Sequence, residues 1–226
     1  MSDLHDEPLK STQPIRLFHS DRLEFFTHIH PAVVPAIWLP VSAAFLAQGV
    51  ILTRSAGHVW ASIPAFFGGI LLWSFAEYCL HRFIFHFTPR TQRQKRIAFL
   101  MHGVHHAQPR VKTRLVMPPL VSIPLACLFY ALFTLVVSML LRAPDLTGAL
   151  FAGFVTGYVC YDLTHYSLHH FQFRSGFMKA LRAHHMRHHT EHESRFGVSS
   201  PLWDHVFQTE PPKDPGSSRV ATTPHG

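Results

Sequence analysis

The sequence predicts an all-α protein that crosses a membrane about four times and carries a histidine-rich helical cap on the cytoplasmic side. Two observations predict this class. Four long stretches of the 226 residues are apolar and almost free of charge, as membrane-spanning helices are. In addition, thirteen of the twenty histidines fall between His81 and His192, in spaced groups beside those stretches. Neutral imidazole is the commonest metal ligand in proteins, so the groups predict a dimetal site in the cap.

The apolar stretches are expected to be spans at residues 31–53, 59–80, 115–141 and 146–164. They lack the polar face that a helix of a soluble protein shows. The first three exceed the ~18 apolar residues that a span requires, and the fourth is marginal. Pro118, Pro119 and Pro124 predict a late start or a kink in the third span, since membrane helices tolerate proline. A re-entrant first or third stretch is the alternative to four full spans.

Three regions are expected along the chain. Residues 1–30 are a polar cytoplasmic segment without a cleavable signal peptide, and residues 31–209 form the membrane domain. Residues 210–226 contain four prolines and no apolar periodicity, which predicts a disordered tail. The three cysteines all lie inside apolar stretches without metal-binding spacing, so they are expected to be small core residues.

The basic residues predict the orientation of the chain. Lysine and arginine number 20 against 13 acidic residues, and with four spans eighteen of the twenty lie on one side. Only Arg54 and Arg142 fall in the connections on the other side. This distribution places both termini and the histidine groups in the cytoplasm. The basic residues are not interleaved with aromatic ones, so nucleic acid is not an expected partner.

The spacing of the histidines indicates that most of them share helix faces. In H-x-x-H-H the three imidazoles span about 100° of a helix, and this pattern occurs at residues 102–106 and 185–189. His165 and His169 are likewise one turn apart, on a cytoplasmic extension of the fourth span. His81 and His86 are about 140° apart on a straight helix, so either the chain bends out of helix before Pro89 or the two residues serve different metals.

The alternative for the whole constellation is a histidine-rich surface without a defined site. His170, His184 and His192 are expected in outer or surface positions, and His205 is left open between the two roles. Ten histidines without cysteine suit a single structural zinc poorly, whereas such ligands suit zinc, copper, iron and nickel in general. Glu77 is a candidate for orienting a ligand imidazole through its second nitrogen, as is Asp162.

Five segments carry a resemblance to a known family. They read E-Y-C-L-H-R-F-I-F-H (77–86), H-G-V-H-H (102–106), G-Y-V-C-Y-D-L-T-H-Y-S-L-H-H (157–170), L-R-A-H-H-M-R-H-H (181–189) and F-G-V-S-S-P-L-W-D-H-V-F-Q-T (196–209). In this order they resemble the integral-membrane fatty acid hydroxylase/sterol desaturase superfamily, and within it the fatty acid 2-hydroxylases. The resemblance covers about residues 60–210. It implies the same metal ligands that the spacing selects: His81, His86, His102, His105, His106, His165, His169, His185, His188 and His189.

The resemblance also implies the chemistry. Two iron ions would use O2 to hydroxylate a lipid acyl chain, at the carbon next to the carbonyl, and zinc is expected to replace iron in isolated protein because it binds nitrogen-rich sites more tightly. Tyr161 and Asp162 are expected to support the site, as are Trp203 and Asp204, although interfacial anchoring is an equal alternative for the two aromatic residues.

The source of electrons is expected to be a separate protein, a ferredoxin or a cytochrome b5 with its reductase. Members of the family often carry a cytochrome b5 domain, but the sequence contains no H-P-G-G haem motif. This short architecture favours a bacterial inner membrane over the endoplasmic reticulum. Two other functions remain open. One is a sterol desaturase or carotenoid hydroxylase, which would use similar histidines. The other is a non-catalytic metal binder or transporter, which the position of the histidines outside the spans disfavours.

Overall fold

A computed structural model describes residues 13–211, and within this range every regular element is a helix. The expected tail at 210–226 and the first part of the N-terminal segment therefore lie almost entirely outside the described residues. Nine α-helices follow in order, several of them extended by a π-helical or 3-10 turn. They are α1 Asp21–Phe25, α2 Val33–Ser55, α3 Ser62–Cys79, α4 Gln92–Ala98, α5 Val104–Ala107, α6 Pro119–Phe133, α7 Pro144–His170, α8 Gly176–His188 and α9 Leu202–Val206.

Four of these elements are long and apolar enough to cross a membrane. The candidate spans are Val33–Ser55, Val59–Phe85, Lys112–Leu140 and Pro144–His170. The late helix start expected near Pro118 and Pro119 is confirmed, because the α-helix within the third candidate span begins only at Pro119, where the missing backbone N–H costs no helical hydrogen bond. The fourth span continues as one helix to His170, six residues beyond the expected end, which confirms its extension into the cap.

Helix α7 is the centre of the bundle, packed between α2 and α3. Its contacts are so close that a Cβ atom added at Gly153 would lie 1.8 Å from the carbonyl oxygen of Phe66. A Cβ added at Gly69 would likewise lie 2.0 Å from the carbonyl oxygen of Leu150. Small residues at helix contacts allow this approach of backbones in membrane proteins. In the apolar window of α7, 72% of the residues are buried, whereas the buried share in the other three candidate spans is only 17% to 22%.

The exposed apolar side chains lie where a bilayer would cover them. Leu128 and Met139 on the third span are each 65% exposed, and Phe67 on α3 is 63% exposed. A soluble protein rarely exposes apolar surface in this continuous form. Cys127 and Cys160 are exposed too, so the expectation that all three cysteines are core residues is wrong for these two. They lie on helix faces directed away from the bundle, where a thiol is tolerated as a small apolar group.

Candidate metal centre

The ten expected ligands converge into two compact groups. Within each group one nitrogen per imidazole lies within 4.8 Å of every other. Histidine group 1 contains His81, His86, His102, His106 and His188. Histidine group 2 contains His105, His165, His169, His185 and His189.

His81 and His86 reach the same group because the chain between them is not an α-helix. Span two ends in a π-helix, Leu80–Phe85, and the amide of His86 donates to the carbonyl of His81 at 3.2 Å. This i→i+5 bond widens the turn, so residues five apart come to lie on the same side, one above the other. Neither sequence alternative is therefore needed: the chain remains helical, and both residues contribute to group 1.

Each H-x-x-H-H motif divides between the groups, although its three imidazoles share one helix face. His102 and His106 point into group 1, and His105 between them joins group 2. The last motif is reversed, since His185 and His189 join group 2 and His188 joins group 1. Each group thus contains two pairs of histidines, each pair from one helical segment, and one single histidine. The single histidine is His188 in group 1 and His105 in group 2, and each comes from the motif whose other two histidines belong to the opposite group. The sharing of motifs holds the two groups side by side.

The distances between imidazoles fit a shared metal ion. The Nε2 atoms of His81 and His102 are 3.1 Å apart, and those of His105 and His165 are 3.0 Å apart. Nitrogens bound at about 2.0–2.1 Å to one metal, at right angles, would be about 3.0 Å apart. In group 1, both nitrogens of His106 are buried without a hydrogen-bond partner in residues 13–211, although buried polar atoms nearly always have one. An ion in this group would satisfy the nitrogen that faces it.

Burial keeps the imidazoles neutral and so leaves their lone pairs free. It lowers the pKa of His86 and of His189 to about 3, and the pKa of His188 to about 4, with neighbouring imidazoles adding to the effect. Burial and the same neighbours hold the pKa of His102 and His105 well below the ordinary value. Metal binding requires unprotonated imidazole, so these residues need not lose a proton at neutral pH.

Two members of group 1 are oriented by backbone carbonyls. Nδ1 of His81 donates to the carbonyl of Phe196 at 2.5 Å, and Nδ1 of His188 donates to the carbonyl of Ser194 at 2.7 Å. With the proton on Nδ1, the Nε2 lone pair is available at the centre of the group. Both carbonyls belong to residues 194–200, which form a loop between α8 and α9 that we call the carbonyl loop.

Two buried carboxylates hold the carbonyl loop. Oxygens of Asp204 accept from the amides of Phe196 and Gly197, both at 2.8 Å. One oxygen of Glu77 accepts from the amides of Val198 and Ser199, also at 2.8 Å. The expectation that Glu77 orients an imidazole directly is therefore wrong. Glu77 instead holds the backbone of the carbonyl loop, and carbonyl oxygens of that loop contact the imidazoles of His81 and His188.

His184 belongs to the same network. It is buried, and its Nε2 lies 3.0 Å from Oδ2 of Asp204. Burial alone would raise the pKa of Asp204, but the hydrogen bonds from His184, Thr209 and the loop amides lower it, so the group stays ionised. This is the outer position that the sequence predicts for His184.

Three further histidines that the sequence analysis singled out lie outside both groups. The ring of His192 is 4.6 Å from that of His106, at the edge of group 1. His170 packs against Tyr166 with ring centroids 4.6 Å apart. His205 is exposed and lies 3.3 Å from a carboxylate oxygen of Glu210, which assigns it to the surface.

The other proposed supporting residues differ in position. Tyr161 is buried and stacks on His165, with ring centroids 5.9 Å apart, so it does not anchor the chain at the bilayer surface. Asp162 is buried one residue further along, and its carboxylate accepts from the amide of Met117 at 3.0 Å rather than orienting an imidazole. Trp203 donates its indole N–H to Ser74, which ties α9 to α3.

A cavity of about 330 Å³ lies next to both histidine groups. His102 of group 1 lines it together with His105 and His165 of group 2, and Tyr161 and Asp162 lie beside them. This volume is at the lower end of the range for small-molecule sites. Most of its other lining side chains are apolar: Leu17, Phe18, Leu23, Phe26, Phe85, Leu100, Met101, Val104, Leu115, Val116, Met117, Pro118, Leu120 and Val121.

The fold and the two histidine groups define a multi-pass membrane protein with a candidate dimetal centre. Comparison with known proteins is consistent with this class. The model of the fatty acid hydroxylase family matches residues 66–209, and the chain belongs to this family. The resemblance seen in the sequence is thereby confirmed, as is the expectation of an oxidoreductase that acts on lipids.

Individual relatives cover most of the chain. The chain is 36% identical to the dihydroceramide fatty acyl 2-hydroxylase FAH1 of Arabidopsis thaliana over 206 residues. This alignment covers 91% of this chain and 84% of that protein. The chain is 37% identical to the human fatty acid 2-hydroxylase over 225 residues, 90% of this chain but only 59% of the human protein. A solved structure described as full-length scs7p, with only the hydroxylase domain visible, matches with a TM-score of 0.74 and 37% identity. The match covers 84% of this chain and 70% of that one.

Proposed function

We propose that this protein uses O2 to hydroxylate the acyl chain of a membrane lipid at the carbon next to the carbonyl. The observation that carries the proposal is the apolar cavity, because it reaches imidazoles of both histidine groups. A cavity lined mainly by apolar side chains suits an alkyl chain, and its contact with the groups would bring one carbon to the metals. The names of the relatives support the position of the hydroxyl group, since they include fatty acid 2-hydroxylases and a fatty acyl 2-hydroxylase.

The ten grouped histidines would hold two iron ions, five histidines to each. When bound, such ions would supply the reduction of O2 and the oxidation of a C–H bond, which zinc cannot do because it has no redox chemistry. The absence of cysteine from both groups and their neutral nitrogen donors fit iron, and they fit zinc equally well. We therefore expect zinc in protein isolated without added iron.

The chain itself would position the substrate and exclude water. Met101, Val104 and Leu115 present apolar surface to an acyl chain lying in the cavity. Holding a carbon close to the reacting centre contributes through orientation, and the dry wall prevents side reactions. Asp162 supports this wall by binding the backbone amide of Met117, which fixes the start of the third span beneath the histidines.

Electrons would come from a separate acidic donor that docks on the cytoplasmic cap. Four exposed cations lie in and just before α4, which leads into the H-G-V-H-H motif: Arg90, Arg93, Lys95 and Arg96. A ferredoxin or a cytochrome b5 with its reductase is the class of donor we propose. The positive-inside distribution supports a cytoplasmic location for this surface and for both termini.

Lipid analysis of cells with and without the protein tests the activity. We expect 2-hydroxyacyl lipids to accumulate with the wild type and to be absent with His106→Ala, which removes one group 1 nitrogen. His19→Ala is the matched control, because His19 is exposed and outside both groups. A hydroxyl group at another carbon would contradict the proposed position. A new double bond would favour a desaturase, and metal-loaded protein without any lipid product would favour a non-catalytic metal binder.

A further inference from the structure

The two histidine groups are supported unequally, although each contains five imidazoles. In group 1, His81 and His188 donate from Nδ1 to carbonyls of the carbonyl loop, while His106 has no hydrogen-bond partner on either nitrogen among the described residues. In group 2, the Nδ1 atoms of His105 and His185 are buried without a hydrogen-bond partner in the described part of the chain. An outer hydrogen bond fixes the ring and raises the basicity of the nitrogen that faces the metal, and its loss typically lowers metal affinity about 10- to 100-fold.

The support of group 1 reaches back to α3 and α9. The carbonyl loop is fixed at Phe196 and Gly197 by Asp204, and at Val198 and Ser199 by Glu77. The loop has little freedom to adjust, since a Cβ atom added at Gly197 would lie 2.1 Å from the carbonyl oxygen of Ser200. The loop, its two carboxylates and the two imidazoles therefore form one buried unit.

We infer that group 1 is the preorganised, tight metal site and that group 2 is the weaker and more exchangeable one, with Asp204 and Glu77 acting as positioning residues for group 1 alone. The inference rests on the proposed function only in taking both groups as metal sites. Group 2 also contributes two of the three imidazoles that line the cavity, His105 and His165. Its ion would thus have less outer support while lying next to the cavity.

Titration of metal-stripped, folded protein in detergent with Co²⁺ tests this asymmetry, because ligand-field absorption reports each ion bound. We expect two resolved steps of one ion each for the wild type. His86→Ala should remove the tight step and His169→Ala the weak one, since these residues belong to groups 1 and 2 respectively. The assignment would be overturned if His169→Ala removed the tight step instead of the weak one. It would also be overturned if the two steps of the wild type had the same affinity.

Asp204→Asn should weaken the tight step about 10- to 100-fold and leave the weak step within about twofold. Asp145→Asn is the matched control, because Asp145 also pairs with a histidine, His58, but does so outside both groups. Ser199→Ala, which removes the hydroxyl that donates to Glu77 at 2.5 Å, provides a milder second variant if Asp204→Asn does not fold. Equal weakening of both steps by either loop variant would contradict the inference.

Two outcomes separate this inference from the proposed function. Folded wild-type protein that binds no Co²⁺ would contradict the dimetal proposal itself. Two bound ions with loop variants that affect both steps alike would leave the dimetal proposal standing and refute only the asymmetry.

Discussion

At the residue scale, the decisive property of the site is that its imidazoles are buried and pair with no carboxylate of the described residues. His86, His188 and His189 are members of the groups, and burial with other imidazoles lowers the pKa of each to between about 3 and 4. A cluster of positive charges would repel both itself and a metal cation. The protein avoids this by making protonation unfavourable, which keeps nitrogen lone pairs available across the physiological pH range.

This arrangement predicts that metal-free protein loses stability in mild acid. The folded-state pKa values of His86, His188 and His189 lie below the unfolded value of 6.5, so the unfolded chain takes up more protons as pH falls. Stability should be constant above about pH 7.5 and should fall from pH 6.5 downwards toward pH 4. Unfolding of stripped protein in detergent, followed by circular dichroism at each pH, measures this. Unchanged stability between pH 7.5 and 5 would refute the prediction.

At the element scale, helix geometry brings the ligands together. Span two ends in a π-helix that aligns His81 and His86. A second π-helix, Phe99–Gly103, contains His102, the first histidine of the H-G-V-H-H motif. Such π-helical turns frequently occur at functional sites. Below the cap, the small residues of α7 allow its backbone to lie close to α2 and α3, and the same helix continues upward to carry His165 and His169.

The contact of α7 with α3 predicts that replacement by alanine destabilises the protein at Gly153 and has little effect at Gly68. Gly153→Ala should lower the thermal midpoint in detergent by several degrees, because its Cβ would lie 1.8 Å from a backbone oxygen. Gly68→Ala should change it little, since the nearest atom would be a leucine methyl carbon at an ordinary 3.6 Å. A thermal-shift assay on both variants measures the difference. Equal midpoints would show that the bundle relaxes around the added methyl group.

Residues 13–30, the described part of the N-terminal segment, make one wall of the cavity and contact Arg114. This buried guanidinium pairs with Glu24 and donates to the carbonyl of Ile15 at 2.6 Å. The cavity is then closed on this side by Leu17, Phe18 and Phe26. Arg114 therefore couples the segment to the third span, together with two hydrogen bonds that Ile29 and His28 make to Thr113.

Removal of this cation should release the segment. We expect Arg114→Met to increase the rate of limited proteolysis within residues 13–30 severalfold, because it leaves the Glu24 carboxylate and the Ile15 carbonyl without this donor. Arg16→Met is the matched control, since the Arg16–Asp21 pair is largely exposed and such pairs contribute little. Mass spectrometry of the fragments locates the cleavage. Equal cleavage of both variants would show that the other contacts, including the hydrogen bonds to Gln108 and Thr113, are enough to hold the segment.

At the scale of the whole molecule, the site lies between the part of the protein that a lipid bilayer would cover and the part that would face water. The cavity is apolar and adjoins spans that a bilayer would cover, whereas the cap exposes the cations of α4. A lipid substrate would approach sideways, and a donor would approach from the aqueous side. The two partners would thus not compete for one surface.

This separation predicts a dependence on an external donor. Iron-loaded protein given O2 and a lipid substrate should stop after the reducing equivalents stored in the site are used. Adding a ferredoxin or a cytochrome b5 with its reductase should restore multiple turnovers. The rate should fall as salt shortens the Debye length below about 10 Å, because charge attraction guides docking. Product counted per protein measures this, and sustained turnover without a donor would contradict it.

The class of fold and the list of the ten grouped histidines could be predicted from different kinds of local pattern. Four apolar stretches indicate the spans because a bilayer demands about 20 apolar residues wherever a helix crosses it, whatever the helix contacts. The ten histidines stand out because their spacing repeats the helical turn. Local spacing is misleading for Glu77. Its position one turn before His81 predicts a contact with that imidazole, but its carboxylate accepts a hydrogen bond from the amide of Val198, 121 residues further along the chain.

The sequence by itself determined the helices, the spans and the list of grouped histidines, since each depends on hydrophobicity or on spacing within one segment. Only the tertiary structure decided how the ten histidines divide into two groups, how a π-helical turn brings His81 and His86 together, and why Asp204 matters. These features depend on contacts between segments far apart in the chain. The carbonyl loop reaches His81 from 115 residues away, and such a distance in sequence leaves no periodic signal because folding alone brings the two segments into contact.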